Sequence, residues 1–196
     1  MALQIDIVKQ VMSLGAGGGF YTPRFQEREM RLQMFCLGRH WDTRRHVYSS
    51  TRADHDGLAV LPLPSNLVEL SQGVLSDLEQ KSGRSFPKMR PDTCIANLYN
   101  ESGSLGLHED CDESKASIEA GIPVVSMSFG CSARFLYEDA QAVRSALLRS
   151  GDMVVFGGAN RRLRHGLSKV FPNTAPKRLK EIIGATRLNL TFRQTI

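Results

Sequence analysis

Cysteine is scarce in this chain and never clustered. Cys36, Cys94, Cys111 and Cys131 lie far apart, with neither a CxxC pair nor zinc-finger spacing among them. That excludes a cysteine-built zinc module and favours a reducing, intracellular setting: nucleus or cytoplasm, with an organelle left open. Long apolar runs are also missing. No stretch approaches the roughly 20 residues that a membrane helix needs, so no membrane partner is expected. From Met1 to Gly15 the apolar positions are interrupted by Asp6 and Lys9, unlike the uniform apolar core of a secretory signal. The cluster Gly15 to Gly19 has neither the GxGxxG spacing nor a following Gly-Lys-Ser/Thr. It reads as a turn and not as a phosphate-cradling loop. Internal repeats and low-complexity tracts are absent, and tryptophan occurs once, at Trp41.

What is present is ordinary globular material. Hydrophobic residues make up 41% and charged residues 23% of 196, enough for the core of one compact domain; a monomer is expected. The net charge of +5 and the pI near 9.2 agree with a polyanionic partner. Leu3, Ile5, Ile7, Val8, Val11 and Met12 predict a helix over residues 3–13, ended by the glycines. From Arg24 to Arg52 the chain is rich in arginine, with Trp41 and Tyr48 among the basic residues. After Pro64, Leu67, Leu70, Val74 and Leu78 recur at helical spacing, and Gly83 follows their end. Beyond Pro91 the texture changes to short runs of β-formers at 93–99, 104–108, 123–129, 133–137, 152–156 and 186–193. A helix over 139–149, with Val143, Ala146 and Leu147 on one face, is predicted between them. Residues 1–90 therefore read as an N-terminal helical layer and 91–196 as the stranded part. The fold class is α+β: an antiparallel sandwich or jelly roll with helices on one side.

The chemistry is concentrated in Leu107-His108-Glu109-Asp110. Residues two apart on an extended chain project the same way, so His108 and Asp110 can offer a nitrogen and a carboxylate oxygen to one point. His165, much later in the chain, supplies a second imidazole. Two histidines and one carboxylate form the facial triad of non-haem iron(II), which leaves positions for other ligands. Near the C-terminus Arg187, Asn189, Thr191 and Arg193 alternate with Leu188, Leu190 and Phe192. Two guanidiniums facing a sandwich interior would need anions, and a dicarboxylate supplies one at each end. The plain alternative is an edge strand with a solvated polar face. Asn97 and Tyr99 share a strand face in the same way, either as donors to a carboxylate or as part of a hydrogen-bonded sheet.

In order along the chain stand Asn97-x-Tyr99, Leu107-His108-x-Asp110-x-Asp112-Glu113 and Val125-Ser126-Met127-Ser128-Phe129-Gly130. There follow Ser150-Gly151-Asp152-Met153-Val154-Val155-Phe156-Gly157-Gly158, His165, and Arg187-x-Asn189-Leu190-Thr191-Phe192-Arg193-Gln194. Together they resemble the ordered motifs of the AlkB-family iron(II)- and 2-oxoglutarate-dependent dioxygenases, which demethylate nucleic acids. The resemblance runs from about Pro91 to Gln194.

That resemblance implies a double-stranded β-helix (jelly roll), with N-terminal helices packed on one sheet and a nucleotide-recognition lid around Trp41. It implies iron(II) on His108, Asp110 and His165. For 2-oxoglutarate it implies Arg187, Asn189 and Tyr99 at the distal carboxylate, and Arg193 and Asn97 at the metal-proximal end. The implied partner is methylated DNA or RNA, whose N-methylated base is oxidised with release of formaldehyde, succinate and carbon dioxide. A base within a duplex would first be flipped out. Trp41 is expected to stack on that base, or else to be a half-buried structural residue. Tyr48 is a candidate phosphate or base contact, and Asp112 and Glu113 are candidate acceptors from an exocyclic amine. Arg24, Arg28, Arg31, Arg44, Arg45 and Arg52 form one candidate phosphate footprint; Arg161, Arg162, Arg164, Lys177, Arg178 and Lys180 form another. The segment from Cys111 to Pro123 is longer than in the bacterial enzyme, and Ser49-Ser50 follow Tyr48 where the bacterial lid has another aromatic. Two alternatives accompany this reading: an oxygenase of the same chemistry acting on a protein side chain, and a non-catalytic nucleic-acid-binding module on the same fold.

Overall fold

The structure, a computed structural model, describes every residue except Gly18 and Gln141. The first helix, α1 (Ala2–Gly18), outruns its predicted end by several residues. The chain leaves it at Gly19, whose φ of 79° is open to glycine and strained for other residues. The arginine-rich segment then forms two small hairpins, β1 (Arg24–Phe25) with β2 (Arg28–Glu29) and β4 (His40–Asp42) with β5 (Val47–Ser49). Between them runs β3 (Gln33–Leu37). Helix α2 (Ser65–Ser82) closes on a left-handed Gly83, as its spacing predicted.

The rest of the chain is mostly sheet. In order it forms β6 (Thr93–Tyr99), β7 (Leu105–His108), α3 (Lys115–Glu119), β8 (Val124–Gly130), β9 (Ala133–Asp139), β10 (Ala142–Leu148) and β11 (Met153–Phe156). A single 3-10 turn (Gly158–Asn160) precedes β12 (His165–Val170), α4 (Lys177–Ile183) and β13 (Arg187–Arg193). A five-stranded sheet has the order β11-β8-β13-β6-β3 and a four-stranded sheet the order β10-β9-β12-β7. From β6 onward the chain passes back and forth between these two sheets, which is the winding of a double-stranded β-helix.

Strand alternation divides the core into two layers. Leu188, Leu190 and Phe192 of β13 join Val125, Met127 and Phe129 of β8 on the outer face of the larger sheet. Val8 and Val11 of α1, Leu67 of α2 and Leu179 of α4 cover that face. On the inner face Ile95 and Tyr99 of β6 meet Ala133, Leu167 and Val170 of the smaller sheet. The N-terminal region is thus more than a helical layer, because β3 is the edge strand of the larger sheet, paired with β6. No helix among the described residues is long and apolar enough to cross a membrane.

One predicted helix is corrected. Residues 142–148 are a strand, β10, paired along its length with β9; Gln141, within the same predicted span, lies outside the described residues. Ala142 to Leu147 are all exposed, so neither face of the strand is buried. A helical spacing of apolar residues is uninformative where nothing buries them, and the free edge of β9 decides the conformation instead.

Candidate active site

His108 ends β7 and His165 begins β12, and the two are direct cross-strand partners. Their rings lie 4.5 Å apart, centroid to centroid. Gly166 permits this approach, since a Cβ there would sit 2.7 Å from the carbonyl oxygen of Leu105. Asp110 lies just beyond β7 and turns its carboxylate back: Oδ1 is 3.6 Å from His108 Nε2 and Oδ2 is 3.8 Å from His165 Nε2. One ligand atom from each residue falls within 4.8 Å of the others.

The orientation of the two rings favours metal binding. His108 Nδ1 lies 2.8 Å from the carbonyl oxygen of Gly106, and His165 Nδ1 lies 2.9 Å from that of Leu163. A carbonyl can only accept, so each Nδ1 is the donor in its contact, and each Nε2 is the nitrogen turned toward Asp110. Burial keeps His165 below the usual imidazole range. Burial alone would raise the Asp110 carboxyl, but Arg193 and the two histidines outweigh it and hold the group well below the usual carboxylate range. Asp110 Oδ2 is buried with no hydrogen-bond partner. Two imidazoles turned by Nε2 toward one carboxylate that keeps an unbonded oxygen suit a divalent metal such as iron(II).

The opposite wall is the inner face of the larger sheet. β13 is the middle strand of that sheet and all of its residues are buried, so the solvated-edge alternative does not apply. Cross-strand register aligns Arg187 with Tyr99, Asn189 with Asn97 and Ser128, and Thr191 with Ile95 and Ser126. Arg187 Nη2 donates to Ser128 Oγ at 2.8 Å, and its guanidinium stands 5.7 Å from the Tyr99 ring centre. Asn189 Nδ2 donates to Ser126 Oγ at 2.8 Å. Asn97 hydrogen-bonds Tyr99 but leaves its own buried Oδ1 without a partner. Burial lowers the Arg187 pKa to about 10, so the group is still a cation at neutral pH. Among the described residues no carboxylate pairs with it, and its Nε has no partner. An uncompensated guanidinium inside a sandwich is costly. A small dicarboxylate reaching from the triad to Arg187 would compensate it, and 2-oxoglutarate has the chemistry to do so.

Arg193 differs. Its Nη2 meets Asp110 Oδ1 at 2.5 Å, its Nη1 donates to the Tyr48 hydroxyl at 2.6 Å, and its Nε lies 3.5 Å from Glu113 Oε1.

A cavity of about 320 Å³ joins the triad, Arg187, Asn189, Asn97 and Tyr99, and it is walled by apolar residues such as Met34, Leu105 and Phe135. The two hairpins form its rim. Phe25 of one packs edge-on against His46 of the other at 5.6 Å, and both line the cavity with Trp41. Trp41 Nε1 donates to Asp112 Oδ2 at 2.7 Å, and His46 Nδ1 lies 3.1 Å from the same oxygen.

The structure therefore brings His108, Asp110, His165, Asn97, Tyr99, Arg187, Asn189, Arg193, Trp41 and Asp112 to one cavity. It does not bring Tyr48 or Glu113 there. The Tyr48 hydroxyl is engaged by Arg193, and the Glu113 side chain is fully buried against Arg161 at 3.1 Å. Two cations of the candidate footprints are also misplaced. Arg161 is buried in that pair, and Arg52 is buried against Asp56. Arg162 and Arg164 pair with Glu109 and Glu138. Sequence reasoning missed Ser126 and Ser128 as supports for Asn189 and Arg187. Their alternation with Val125, Met127 and Phe129 carries the same two-residue signal as β13. Phe25 and His46 had no such signal.

Comparison with known proteins agrees with this geometry. The family model described as the 2OG-Fe(II) oxygenase superfamily matches residues 2–193. A DNA N(6)-methyladenine demethylase of Arabidopsis thaliana, ALKBH1C, is 40% identical over 97% of this chain. The match covers 45% of that relative, so the chain spans less than half of its length. The alpha-ketoglutarate-dependent dioxygenase AlkB of Salmonella typhimurium is 32% identical over 81% of this chain and 68% of its own. The solved structure of OsALKBH1 superposes with a TM-score of 0.89 at 40% identity, covering 97% of this chain and 91% of that one.

Proposed function

Since the chain belongs to the AlkB branch of the 2OG-Fe(II) oxygenase superfamily, we propose that it removes methyl groups oxidatively from N-methylated bases in DNA or RNA. The observation that carries this reading is the facing of two walls across one cavity. A two-histidine, one-carboxylate triad stands at the smaller sheet, and a buried arginine with no counter-ion among the described residues stands on the larger.

In this reading His108, Asp110 and His165 hold iron(II). Arg187, steadied by Ser128 and stacked near Tyr99, takes the distal carboxylate of 2-oxoglutarate. Asn189 is kept in orientation by Ser126, and Thr191 donates to its Oδ1 at 3.0 Å. Asn97 and Arg193 face the metal-proximal end. Iron(II) with 2-oxoglutarate and dioxygen supplies oxidation of the N-methyl carbon, which is lost as formaldehyde with succinate and carbon dioxide as co-products. The protein contributes position and dryness. Apolar walls keep water from the reacting carbon, and the backbone-held imidazoles cannot swing away. Trp41 supplies an aromatic face at the cavity mouth for a base, a contact of about 1–3 kcal/mol. Asp112 beside it can accept from an exocyclic amine. Support for a nucleic-acid substrate comes from the names of the relatives and from the net charge of +5.

The test is formaldehyde release with iron(II) and 2-oxoglutarate across oligonucleotides bearing N1-methyladenine, N3-methylcytosine or N6-methyladenine, each in DNA and in RNA. Release from at least one is expected. Release from none, alongside turnover of a protein substrate, would transfer the same machinery to a side-chain oxygenase.

A further inference from the structure

Glu113 and Arg161 are buried, charged and outside the cavity. They close a ring around Asp110. Arg161 Nη1 donates to the backbone oxygen of Asp110 at 2.6 Å, and its Nη2 lies 3.1 Å from Glu113 Oε2. Glu113 Oε1 lies 3.5 Å from Arg193 Nε, and Arg193 Nη2 returns to Asp110 Oδ1 at 2.5 Å. Two acids and two guanidiniums cancel in charge, and each side chain is less than a tenth exposed.

Stability alone gives weak grounds for such a ring, because buried ion networks are often replaceable by apolar residues without loss. Its position gives a better one. Glu113 follows Asp110 closely on the segment after β7, and Arg161 caps the 3-10 turn that leads to His165. The ring therefore ties together the two segments that carry the three candidate ligands. It also divides the Asp110 carboxylate: Oδ1 is hydrogen-bonded by Arg193, while Oδ2 has no hydrogen bond and faces His165 Nε2. Groups that orient a ligand from behind typically tune metal affinity by about 10–100-fold.

We propose that Glu113 and Arg161 are positioning residues for the metal site, holding Asp110 by its backbone oxygen and, through Arg193, by Oδ1, so that Oδ2 is presented to the metal. This rests on the metal-site reading above. Glu113 is then a brace behind the ligand and not a contact to the base.

Cobalt(II), titrated into the full chain in place of iron(II), reads the site by affinity and by its visible ligand-field bands. Wild-type protein, Glu113→Gln and the charge-free double variant Glu113→Leu/Arg161→Met are compared, with thermal unfolding and metal-free oligonucleotide binding measured on each. Cobalt affinity about 10–100-fold weaker with altered bands, and oligonucleotide binding unchanged, is expected in both variants. Wild-type cobalt affinity and bands in a folded variant would overturn the proposal. Weakened oligonucleotide binding with intact cobalt binding would return Glu113 to the substrate and also overturn it. If neither variant folds, the ring belongs to stability and the proposal fails. If wild-type protein itself binds no cobalt, the metal-site reading fails with it.

Discussion

The two ends of β13 carry the same side chain on the same face and live in opposite electrostatic settings. Arg193 is satisfied by the protein, with Asp110, Glu113 and the Tyr48 hydroxyl around it. Burial would lower its pKa, but those neighbours raise it well above the usual guanidinium value. Arg187 is also buried but among the described residues meets only a serine hydroxyl and an aromatic face, and burial lowers its pKa to about 10. The contrast separates two jobs that a motif cannot. In the proposed reading Arg193 braces a metal ligand while facing the metal-proximal end of the site, and Arg187 is the socket for an anion from outside.

The comparison breaks most severely at Asp110. Asp110→Ala should abolish iron-dependent 2-oxoglutarate turnover, as should His108→Ala or His165→Ala. Full turnover in any of them removes that residue from the ligand set.

Next in size is the stability split. Arg193→Met leaves Asp110 and Glu113 buried with reduced compensation and should cost about 3–5 kcal/mol. Arg187→Met removes an uncompensated charge and should be close to neutral in urea unfolding. Equal losses would erase the distinction. The frame also predicts an acid effect. The folded pKa of Asp110 is depressed, so its contribution is present above the ordinary carboxylate pKa near ~4 and is lost as pH falls through the lower folded value. The urea midpoint of wild type should therefore fall more steeply than that of Asp110→Asn between about pH 5 and about pH 2, and parallel curves would contradict it.

For function the same pair predicts the reverse weighting. Arg187→Met should raise the 2-oxoglutarate requirement roughly 10–100-fold, corresponding to about 1.5–3 kcal/mol of charge-assisted hydrogen bonding. An unchanged requirement would show that the anion binds elsewhere. The smallest expected effect is at the rim. Trp41→Phe keeps a stacking face but removes the bond to Asp112, so oligonucleotide affinity should fall only severalfold, the ~0.5–1.5 kcal/mol of one hydrogen bond. Trp41→Ala should cost more, and identical losses would mean that stacking contributes nothing.

Much of the site was legible because strands have a period of two. Arg187, Asn189, Thr191 and Arg193 had to share a face, as did Asn97 and Tyr99, and the structure sets those faces side by side. Residues 142–148 were misread for the complementary reason: an edge strand exposed on both sides leaves no pattern in its sequence. A position in a motif does not say which way a side chain turns: Tyr48 and Glu113, candidates for substrate contact by sequence, turn to Arg193 and Arg161 in the structure. The buried Arg161 was grouped with surface cations because charge in a sequence carries no burial.

By itself the sequence determined the classes of groups and their local order: two imidazoles and a carboxylate with a shared spacing, one strand with an apolar and a cationic face, and no competing cofactor motif. Only the tertiary structure decided which charges are compensated. Compensation depends on groups far apart in the chain, Asp110 with Arg193 and Glu113 with Arg161, and the energy of a charge is set by what surrounds it in space. That environment surrounds Arg193 with protein acids and, among the described residues, leaves Arg187 with none, which is why the proposed function gives the two arginines different work.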